Sequence, residues 1–299
     1  MTGRLIHTGQ VVLDLVMRVP AMPPVGGDVF ATATVLTPGG GFNVMAAAAR
    51  AGARVTYAGG HGEGHFGDTA RAGLAAEGIE VALPPTPGQD TGICVVLVDA
   101  TGERTFVTGS GAEQGVPASA LVGLTATTAD IVYVTGYSLL DTRRAHRLLG
   151  WVDAQRGPIV LVDPGPLAAE IDTRVWQRVL DRADVLSANA RETAALGGPA
   201  ALAAALHKGG SVVVRDGADG CTILTARGAD RVPGFPVDPV DTNGAGDAHC
   251  GVLAAELLRG ADLRTAARRA NAAASIAVTR YGPATAPSRD EVDALLTST

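Results

Sequence analysis

The sequence predicts an α/β protein whose sheet is mostly parallel and covered by helices on both faces. Short runs rich in β-branched residues alternate with alanine-rich stretches, from "RVTYAGG" followed by "GDTARAGLAAEG" to "ADVLSAN" followed by "ARETAALGG". Repeated alternation of strand and helix is typical of βαβ units, which place ligands at the carboxyl ends of the strands. The 299 residues, of which 46% are hydrophobic, suffice for one large domain or two modest ones.

Two regions interrupt this alternation and predict a second, smaller sheet. Residues 11–36 contain "VVLDLVMRV" and "DVFATATVL", and residues 91–108 contain "GICVVLVDATGERTFVT". Both regions are strand-rich, and the turn "DATGE" separates two alternating runs in the second. We expect them to form a small β-sheet that projects from the main body of a single domain spanning residues 1–299. After Asp247 the chain is expected to be helical almost to its end.

The composition argues against several kinds of partner. The net charge of −6, the pI near 5.5 and the lack of a long Lys/Arg block argue against nucleic-acid binding. No apolar stretch reaches the ~18 residues that span a bilayer, and the first residues lack an apolar signal segment, so we expect a cytoplasmic protein with no membrane partner. Cys94, Cys221 and Cys250 are odd in number and widely spaced, which predicts three reduced, mostly buried thiols.

Lys208 is the single lysine among the 24 basic residues, and it stands in "HKGG". The phosphate loop G-x-x-x-x-G-K-[ST] and the strand lysine of protein kinases both need a lysine in another context. A Schiff-base lysine would also have to be Lys208. The sequence therefore excludes the first two enzyme classes and restricts the third to one residue.

The stretch "DTNGAGD", residues 241–247, directly precedes an apolar helix pattern that ends at Gly260. The N–H groups at a helix start are unpaired and carry partial positive charge. Since Gly244, Ala245 and Gly246 offer little or no side chain, a phosphate can approach this backbone as an anion in a cradle. Asp247 is either an ordinary cap of this helix or a base beside a transferring phosphoryl group.

A second glycine stretch, "PGGGFNVMAAAARAG", begins near residue 38. Its structural interpretation is a tight turn, with Asn43 as the N-cap of a helix that ends before Gly52. Its functional interpretation is a loop whose backbone amides, together with the Asn43 amide, bind the hydroxyl groups of a polyol. This stretch alone favours the structural interpretation.

Taken together, "GGGFNVMAAAARAG" and "DTNGAGDAHCGVLAAEL" resemble the two signatures of the ribokinase-like carbohydrate kinases, the phosphofructokinase-B group. Their order and separation match, and intermediate landmarks extend the resemblance over almost the whole chain: Asp14, "GEGHFG", "GERTFV", "NARE", "VVVRDGADGC" and "NAAASIAVTRYG". The resemblance implies a three-layer αβα ribokinase-like fold with a β lid, ATP as phosphoryl donor, Mg²⁺, and a monovalent cation such as K⁺ as a further candidate. It also implies a homodimer formed through the lid.

The resemblance assigns a role to each matching position. Asp247 is implied to be the catalytic base, beside an anion hole of Gly244, Ala245 and Gly246. The sugar contacts are implied to be Asp14, Gly40, Gly41 and Asn43. Nucleotide contacts are implied at Asn189, Arg215, Gly217, Gly220 and Asn271, with Arg215 near the phosphates and Asn271 bordering the adenine. Glu192, three residues after Asn189, is implied to arrange Mg²⁺ through water, although this spacing is also an ordinary capping pattern.

Two departures from the family pattern concern the acceptor. Gly41 and Phe42 replace a Lys-Gly or Lys-Ala type of pair, and "DPGPLAA" at Asp163 lacks the Asn and Arg of many relatives. Without that arginine, a phosphorylated or acidic sugar would lack a cation to offset its desolvation. We therefore expect ATP-dependent phosphorylation of a hydroxymethyl group on a small neutral sugar. A nucleoside of the adenosine type is the alternative, although only 4% of the residues are aromatic: the candidates are Phe30, Phe42, Phe106 and Tyr137.

Two remoter alternatives stay open. "GEGHFG", residues 62–67, satisfies the G-x-G-x-x-G pattern of dinucleotide-binding oxidoreductases, although two strand-like regions and a helix precede it. His61 and His65 around it are four residues apart, but the glycines between them favour a turn with exposed imidazoles over a metal pair. A non-enzymatic sugar-binding module would use Asp14 and Asn43 equally well, yet it gives no reason for a phosphate cradle.

Overall fold

The β-branched runs form the main sheet of the computed structural model, which describes residues 3–114 and 121–298. Within these residues the main sheet has the strands β1 (Leu5–His7), β4 (Val55–Tyr57), β5 (Glu80–Val81), β8 (Ile131–Thr135), β9 (Ile159–Asp163), β10 (Val185–Asn189), β11 (Ser211–Arg215), β12 (Gly220–Thr225) and β13 (Gly228–Pro233). Their order is β13-β12-β11-β10-β9-β8-β1-β4-β5. All neighbouring strands from β11 to β5 in this order pair in parallel. β12 pairs antiparallel with both of its neighbours, β11 and β13. The predicted, mostly parallel sheet is confirmed.

Helices cover both faces of this sheet. The described helices are α1 (Gly41–Arg50), α2 (His65–Ala76), α3 (Thr142–Asp153), α4 (Thr173–Arg182), α5 (Ala190–Ala195), α6 (Pro199–Ala205), α7 (Ala245–Leu258), α8 (Leu263–Ala277) and α9 (Arg289–Thr297). Successive strand residues point to opposite faces. Leu5 accordingly packs in one core with residues of α1, α7 and α8, and Ile6 packs in another with residues of α3 and α4. The three-layer αβα arrangement is confirmed.

The two strand-rich regions form a separate four-stranded sheet, called the small sheet below. Its strands are β2 (Val11–Arg18), β3 (Ala33–Gly40), β6 (Ile93–Val98) and β7 (Arg104–Gly109), in the order β3-β2-β6-β7. The Asp99 carboxylate accepts hydrogen bonds from the backbone of Thr101 and Glu103, which closes the predicted turn between β6 and β7. The small sheet is confirmed; the single domain over residues 1–299 stays a prediction.

The glycine stretch after residue 38 is not the loop we expected. Gly39 and Gly40 pair with Val12 and Val11 as the last residues of β3, and α1 begins at the next residue, Gly41. The strand therefore extends four residues beyond the predicted boundary at residue 36. The helix starts earlier than its sequence suggests because Gly40, at φ 60°, reverses the chain abruptly in the left-handed region that glycine tolerates.

One face of the small sheet lies against the main body. In β6 the alternate residues Cys94, Val96 and Val98 are buried, whereas Ile93, Val95 and Leu97 between them are only partly buried. Asp14 of β2 lies directly opposite Cys94 in the strand pairing, so its side chain is on the buried face. The small sheet thus turns Asp14 toward the main sheet.

The three cysteines are free and buried, as expected. The prediction of two exposed imidazoles is correct for His65 and wrong for His61. The His61 ring is buried, and both of its nitrogens have partners inside the protein. Its Nε2 lies 2.9 Å from the carbonyl oxygen of Leu83, and its Nδ1 lies 2.8 Å from Nη1 of Arg71. In the part of the chain that the structure describes, no helix has the length and apolar character needed to cross a membrane.

The G-x-G-x-x-G pattern does not form a dinucleotide site. Its last three residues, His65 to Gly67, begin α2, and the N–H groups of Phe66 and Gly67 donate to the carboxylate of Asp90 at 3.1 and 2.8 Å. A pyrophosphate bound in the manner of an oxidoreductase fingerprint would need these donors. The chain's own carboxylate occupies them, which argues against the oxidoreductase alternative.

Candidate active site

The glycine-rich stretch before α7 forms a backbone turn that other residues would not allow. Gly244 adopts φ 74° and is the N-cap, and α7 begins at Ala245, close to where the sequence predicts a helix start. A Cβ on Gly244 would overlap the carbonyl oxygen of Pro283, so the backbone there is packed without a side chain. Asp247 lies in the first turn of α7. The backbone N–H groups of Gly246 and Asp247 therefore have no helical carbonyl four residues earlier to which they could donate. One predicted donor is already engaged, because the Ala245 N–H donates to the carbonyl oxygen of Thr242 at 3.4 Å. The anion cradle stays a prediction.

Asp247 is held by a side chain from the start of another helix. Asn43 Nδ2 donates to Asp247 Oδ2 at 3.1 Å. Asn43 is not the N-cap that the sequence suggested: because α1 begins at Gly41, Asn43 is its third residue, and its amide is free to reach across to α7. The side chain is 6% exposed and its Oδ1 has no partner among the described residues. A buried acceptor without a donor is ready to bind a hydroxyl group.

Two carboxylates with raised pKa values face this position. Burial raises the pKa of Asp247 to about 6, while the bond from Asn43 opposes that shift. Burial and the charge of Asp247 raise the pKa of Asp14 to about 6. The charge of Asp247 on α7 therefore acts on the Asp14 carboxylate of the small sheet. Perturbed carboxylates in one cleft are typical of a functional site.

The glycines beside Asp14 have packing roles. A Cβ on Gly39 would overlap the Asp14 carboxylate, and a Cβ on Gly41 would overlap the buried ring of His7. The amide of Gly41 donates to the carbonyl oxygen of Gln10 at 2.7 Å. These contacts fix the Asp14 carboxylate and the start of α1. The sugar contacts of Gly40 and Gly41 stay predictions.

Arg215 lies at the carboxyl end of β11, beneath the cradle. Its Nη1 donates to Asp163 Oδ2 at 3.0 Å and its Nη2 donates to Glu192 Oε2 at 3.2 Å. Nη1 also contacts Ser187 Oγ at 2.9 Å and Cys250 Sγ at 2.8 Å. The side chain is 11% exposed, and the contacts above engage both of its terminal nitrogens. Its predicted contact with nucleotide phosphates is untested.

Asn189 and Glu192 form the capping box that the sequence left open. Asn189 Oδ1 accepts the Glu192 N–H, and Glu192 Oε2 accepts the Asn189 N–H, both at 2.8 Å. Burial, followed by the charge of Asp163, raises the pKa of Glu192. This capping does not exclude a second role, because the same carboxylate also meets Arg215 beside the cradle.

The carboxylates fit a magnesium ion that is bound together with phosphate. The charge of Asp163 raises the pKa values of Glu192 and Asp247, and the Arg215 guanidinium lowers both. Mg²⁺ in nucleotide sites keeps several waters and uses one or two carboxylates plus phosphate oxygens. Within residues 3–114 and 121–298 no group of three or more His, Cys, Asp or Glu side chains forms a metal cage. The carboxylates of Asp163 and Glu192 are of the ligand type that Mg²⁺ uses together with phosphate oxygens.

The remaining predicted nucleotide residues lie near β12 and β13, at one edge of the main sheet. Gly217 and Gly220 flank a short 3₁₀ turn between β11 and β12. Asn271 of α8 is buried, and its Nδ2 donates to the carbonyl oxygens of Val232 and Pro233 at 3.0 and 3.1 Å. These bonds tie α8 to β13. Contacts with a nucleotide at these three positions stay predictions.

Sequence analysis missed the residues that hold the predicted ones in place. Asp163, Ser187 and Cys250 surround Arg215, yet they come from β9, β10 and α7, and no local pattern links them. The signal was present in part, since Asp163 ends a predicted strand in "PIVLVDPG". Strand order in the sheet, which brings these positions together, had to come from the structure.

Comparison with known proteins agrees with this geometry. Residues 4–290 match the family model described as pfkB family carbohydrate kinase. The chain is 30% identical to ribokinase of Bacillus subtilis (strain 168) over 294 residues, covering 96% of this chain and 97% of that protein. It is 32% identical to the ATP-dependent ribose-1-phosphate kinase of Halopiger xanaduensis over 302 residues, covering 98% of each.

A solved structure shows the same fold. Ribokinase from Thermotoga maritima superimposes with a TM-score of 0.82 at 24% identity, covering 98% of this chain and 99% of that one. The family match spans the small sheet, the Asn43–Asp247 contact and the Arg215 cluster. The chain therefore belongs to the pfkB family of carbohydrate kinases and is an ATP-dependent phosphotransferase.

Proposed function

We propose that this kinase transfers the γ-phosphoryl group of ATP to a hydroxymethyl group of a small neutral sugar. The observation that carries the proposal is the Asn43–Asp247 contact at the start of α7, where a carboxylate lies in the first helical turn beside backbone N–H groups. A base next to an anion cradle is the arrangement that phosphoryl transfer to an alcohol requires. A protein that only binds sugar has no use for the cradle.

Asp247 accepts the hydroxyl proton as the oxygen attacks phosphorus. With a pKa of about 6 it is ionised at pH 7, yet it is more basic than an ordinary carboxylate. The N–H groups of the cradle, Gly244, Ala245 and Gly246, stabilise charge on the transferred group. Glu192, oriented by the backbone of Asn189, would hold Mg²⁺ through water, and that ion would supply neutralisation of the phosphate charge.

The acceptor pocket lies between the buried face of the small sheet and α1. Asp14 and the free Oδ1 of Asn43 provide acceptors for sugar hydroxyls. Two carboxylates that already repel each other disfavour a further anion in the same space. This supports a neutral sugar, such as the substrate of the ribokinase relative, over a sugar phosphate such as that of the ribose-1-phosphate kinase relative.

One observation favours a nucleoside of the adenosine type as the second candidate. Phe106 of β7 lies opposite Val96 and therefore shares the face of Asp14, and its ring is exposed. An exposed aromatic ring on the pocket side can stack on a base. Of the other predicted aromatic candidates, Phe42 is buried, whereas Phe30 and Tyr137 are exposed.

The cofactors and the assembly complete the proposal. ATP and Mg²⁺ are the cofactors, and a monovalent cation such as K⁺ stays a prediction, which activity in K⁺ and in tetramethylammonium buffers would test. We place the enzyme in the cytoplasm as a homodimer. The outward face of the small sheet supports this dimer, because Leu36 and Val107 are exposed there beside Leu15 and Val95.

The experiment that tests the proposed function is a coupled ADP-release screen with the purified protein. The panel contains neutral pentoses and hexoses, sugar phosphates, sugar acids and nucleosides. A clear preference for a neutral sugar is the expected result. Preference for a sugar phosphate or acid would contradict the proposal, and preference for a nucleoside would favour the second candidate.

A further inference from the structure

Two arginines lie in one row at the end of the small sheet. Arg18 of β2 and Arg104 of β7 are both directly opposite Val98 of β6 in the strand pairing. Residues in such a row point to the same face of a sheet. Asp14 lies four residues before Arg18 on β2, so it shares that face. The face that turns Asp14 toward Asp247 therefore carries two guanidinium groups at one end.

Both guanidinium groups contact the main body at one junction. Arg104 Nη2 donates to Asp241 Oδ1, and the Arg18 guanidinium lies 4.8 Å from the centre of the Tyr281 ring. The two contacted segments are joined, because the amide of Gly282 donates to Asp241 Oδ2 at 3.1 Å. We call Asp241, Tyr281 and Gly282 the junction. The small sheet is attached to it by an ion pair and a cation–π contact.

The junction holds the first residues of the cradle. Asp241 Oδ1, which accepts the Arg104 bond, also accepts the amide of Asn243 at 2.9 Å. On the other side, the backbone of Gly244 packs against the carbonyl oxygen of Pro283, the residue after Gly282. The side chain of Asp241 is 10% exposed, so these few donors must compensate the desolvation of its carboxylate. A change at Arg104 is therefore one hydrogen bond away from the cradle backbone.

We propose that Arg104 and Arg18 are positioning residues that tie the geometry of the phosphate cradle to the docked position of the small sheet. This inference rests on the proposed function, because it concerns the same cradle. Neither arginine needs to touch sugar or ATP. When the small sheet leaves the junction, Asp241 loses its cationic partner, and Asn243 and Gly244 lose a support. Efficient phosphoryl transfer then requires the small sheet to be docked, which limits ATP hydrolysis in the absence of an acceptor.

Hydrogen exchange of the ligand-free protein tests the structural part of this inference. The variants are Arg104→Gln, Arg104→Lys, which keeps the charge, and Arg18→Gln. Arg178→Gln is the matched control, because Arg178 pairs with Asp153 on the surface of α3 and α4 at 2.7 Å. We expect Arg104→Gln to raise exchange about tenfold at the amides of Asn243 and Gly282 as well as in β7. Arg104→Lys should restore part of the protection, and Arg178→Gln should leave both segments unchanged.

Steady-state kinetics tests the functional part. Arg104→Gln should lower kcat about tenfold with the KM for ATP within twofold, and it should raise ADP release without acceptor relative to product formed. Wild-type exchange at Asn243 and Gly282 in Arg104→Gln, or an equal change in the Arg178→Gln control, would overturn the inference. If the wild-type protein phosphorylates no acceptor, the proposed function fails, and the exchange result still decides whether Arg104 holds the cradle.

Discussion

Asn43 and Asp247 are separated by 204 residues in sequence, and the amide of one donates to the carboxylate of the other at 3.1 Å. The contact joins the first turns of α1 and α7. It orients one carboxylate oxygen of Asp247, and in the proposed mechanism the carboxylate accepts the proton of the attacking hydroxyl.

Replacing the proposed base should remove most of the activity. Asp247→Asn should lower kcat by about 10²-fold or more, because general-base catalysis contributes on that order. ATP affinity should stay within a few-fold, since the cradle backbone is unchanged. Steady-state kinetics and nucleotide titration measure both quantities. Near-normal turnover would show that Asp247 is not the base.

Removing the Asn43 amide should move the acid limb of the pH profile. Ionised Asp247 is the active form, so kcat/KM of the wild-type enzyme should fall as the pH drops through about 6. The Asn43 hydrogen bond lowers the pKa of Asp247, so Asn43→Ala should raise that pKa and shift the limb to higher pH. A pH profile of kcat/KM measures the shift, and an unmoved limb would contradict it.

Asp14 should affect the sugar and spare the nucleotide. Asp14→Ala removes an acceptor on the small sheet, so it should raise the KM for the sugar about tenfold or more while the KM for ATP changes little. Equal changes in the two KM values would argue against a sugar contact.

A buried histidine should make the fold sensitive to acid. Burial, followed by the charge of Arg215, lowers the pKa of His249 from 6.5 to about 3. The unfolded chain therefore binds a proton at His249 below pH 6.5 that the folded chain refuses until about pH 3, and stability is lost in this window as the pH falls. Between pH 7 and pH 5 the wild-type protein should lose about 2 kcal/mol more than His249→Phe.

Urea unfolding at the two pH values measures this difference. His65→Gln, which removes an exposed imidazole, is the control and should keep the wild-type dependence. The same acid sensitivity in His249→Phe and in the wild-type protein would show that other groups cause it.

A methyl group on the cradle should cost both stability and activity. Gly244→Ala adds the left-handed backbone penalty of about 1–2 kcal/mol and an overlap with Pro283. Gly260→Ala is a matched control: Gly260 has φ 85°, and a Cβ there meets no atom within 4 Å. Thermal unfolding should show the larger loss for Gly244→Ala, and only that variant should lower kcat. Equal effects of the two variants would exclude a packing role for the cradle.

The sequence was sufficient for the fold class and for the helix start near Asp247, because periodicity and local spacing determine both. It was wrong about the stretch after residue 38, which continues β3 to Gly40. The sequence suggested that Asn43 is the N-cap of α1, whereas it is the third residue of that helix. The abrupt turn at Gly40, which moves the helix start, depends on the small sheet. The sequence predicted Arg215 without its partners, because Asp163 and Glu192 meet it only through the order of β9, β10 and β11. The burial of His61 was missed for a similar reason: its partners Arg71 and Leu83 are not local.

Because β3 passes directly into α1, a rigid tilt of the small sheet about Gly40 would act as a lever on the start of α1. β3 has eight residues and is about 26 Å long, and Gly40 is its pivot. A tilt of about 5° would carry the tip at Ala33 through about 2 Å, while Asn43, about 5 Å along α1 from the pivot, would move about 0.4 Å. Ala33 pairs with Arg18, so the arginine row grips the lever where its mechanical advantage is greatest. Weak contacts at that tip can resist torques that a stronger bond near the pivot could not.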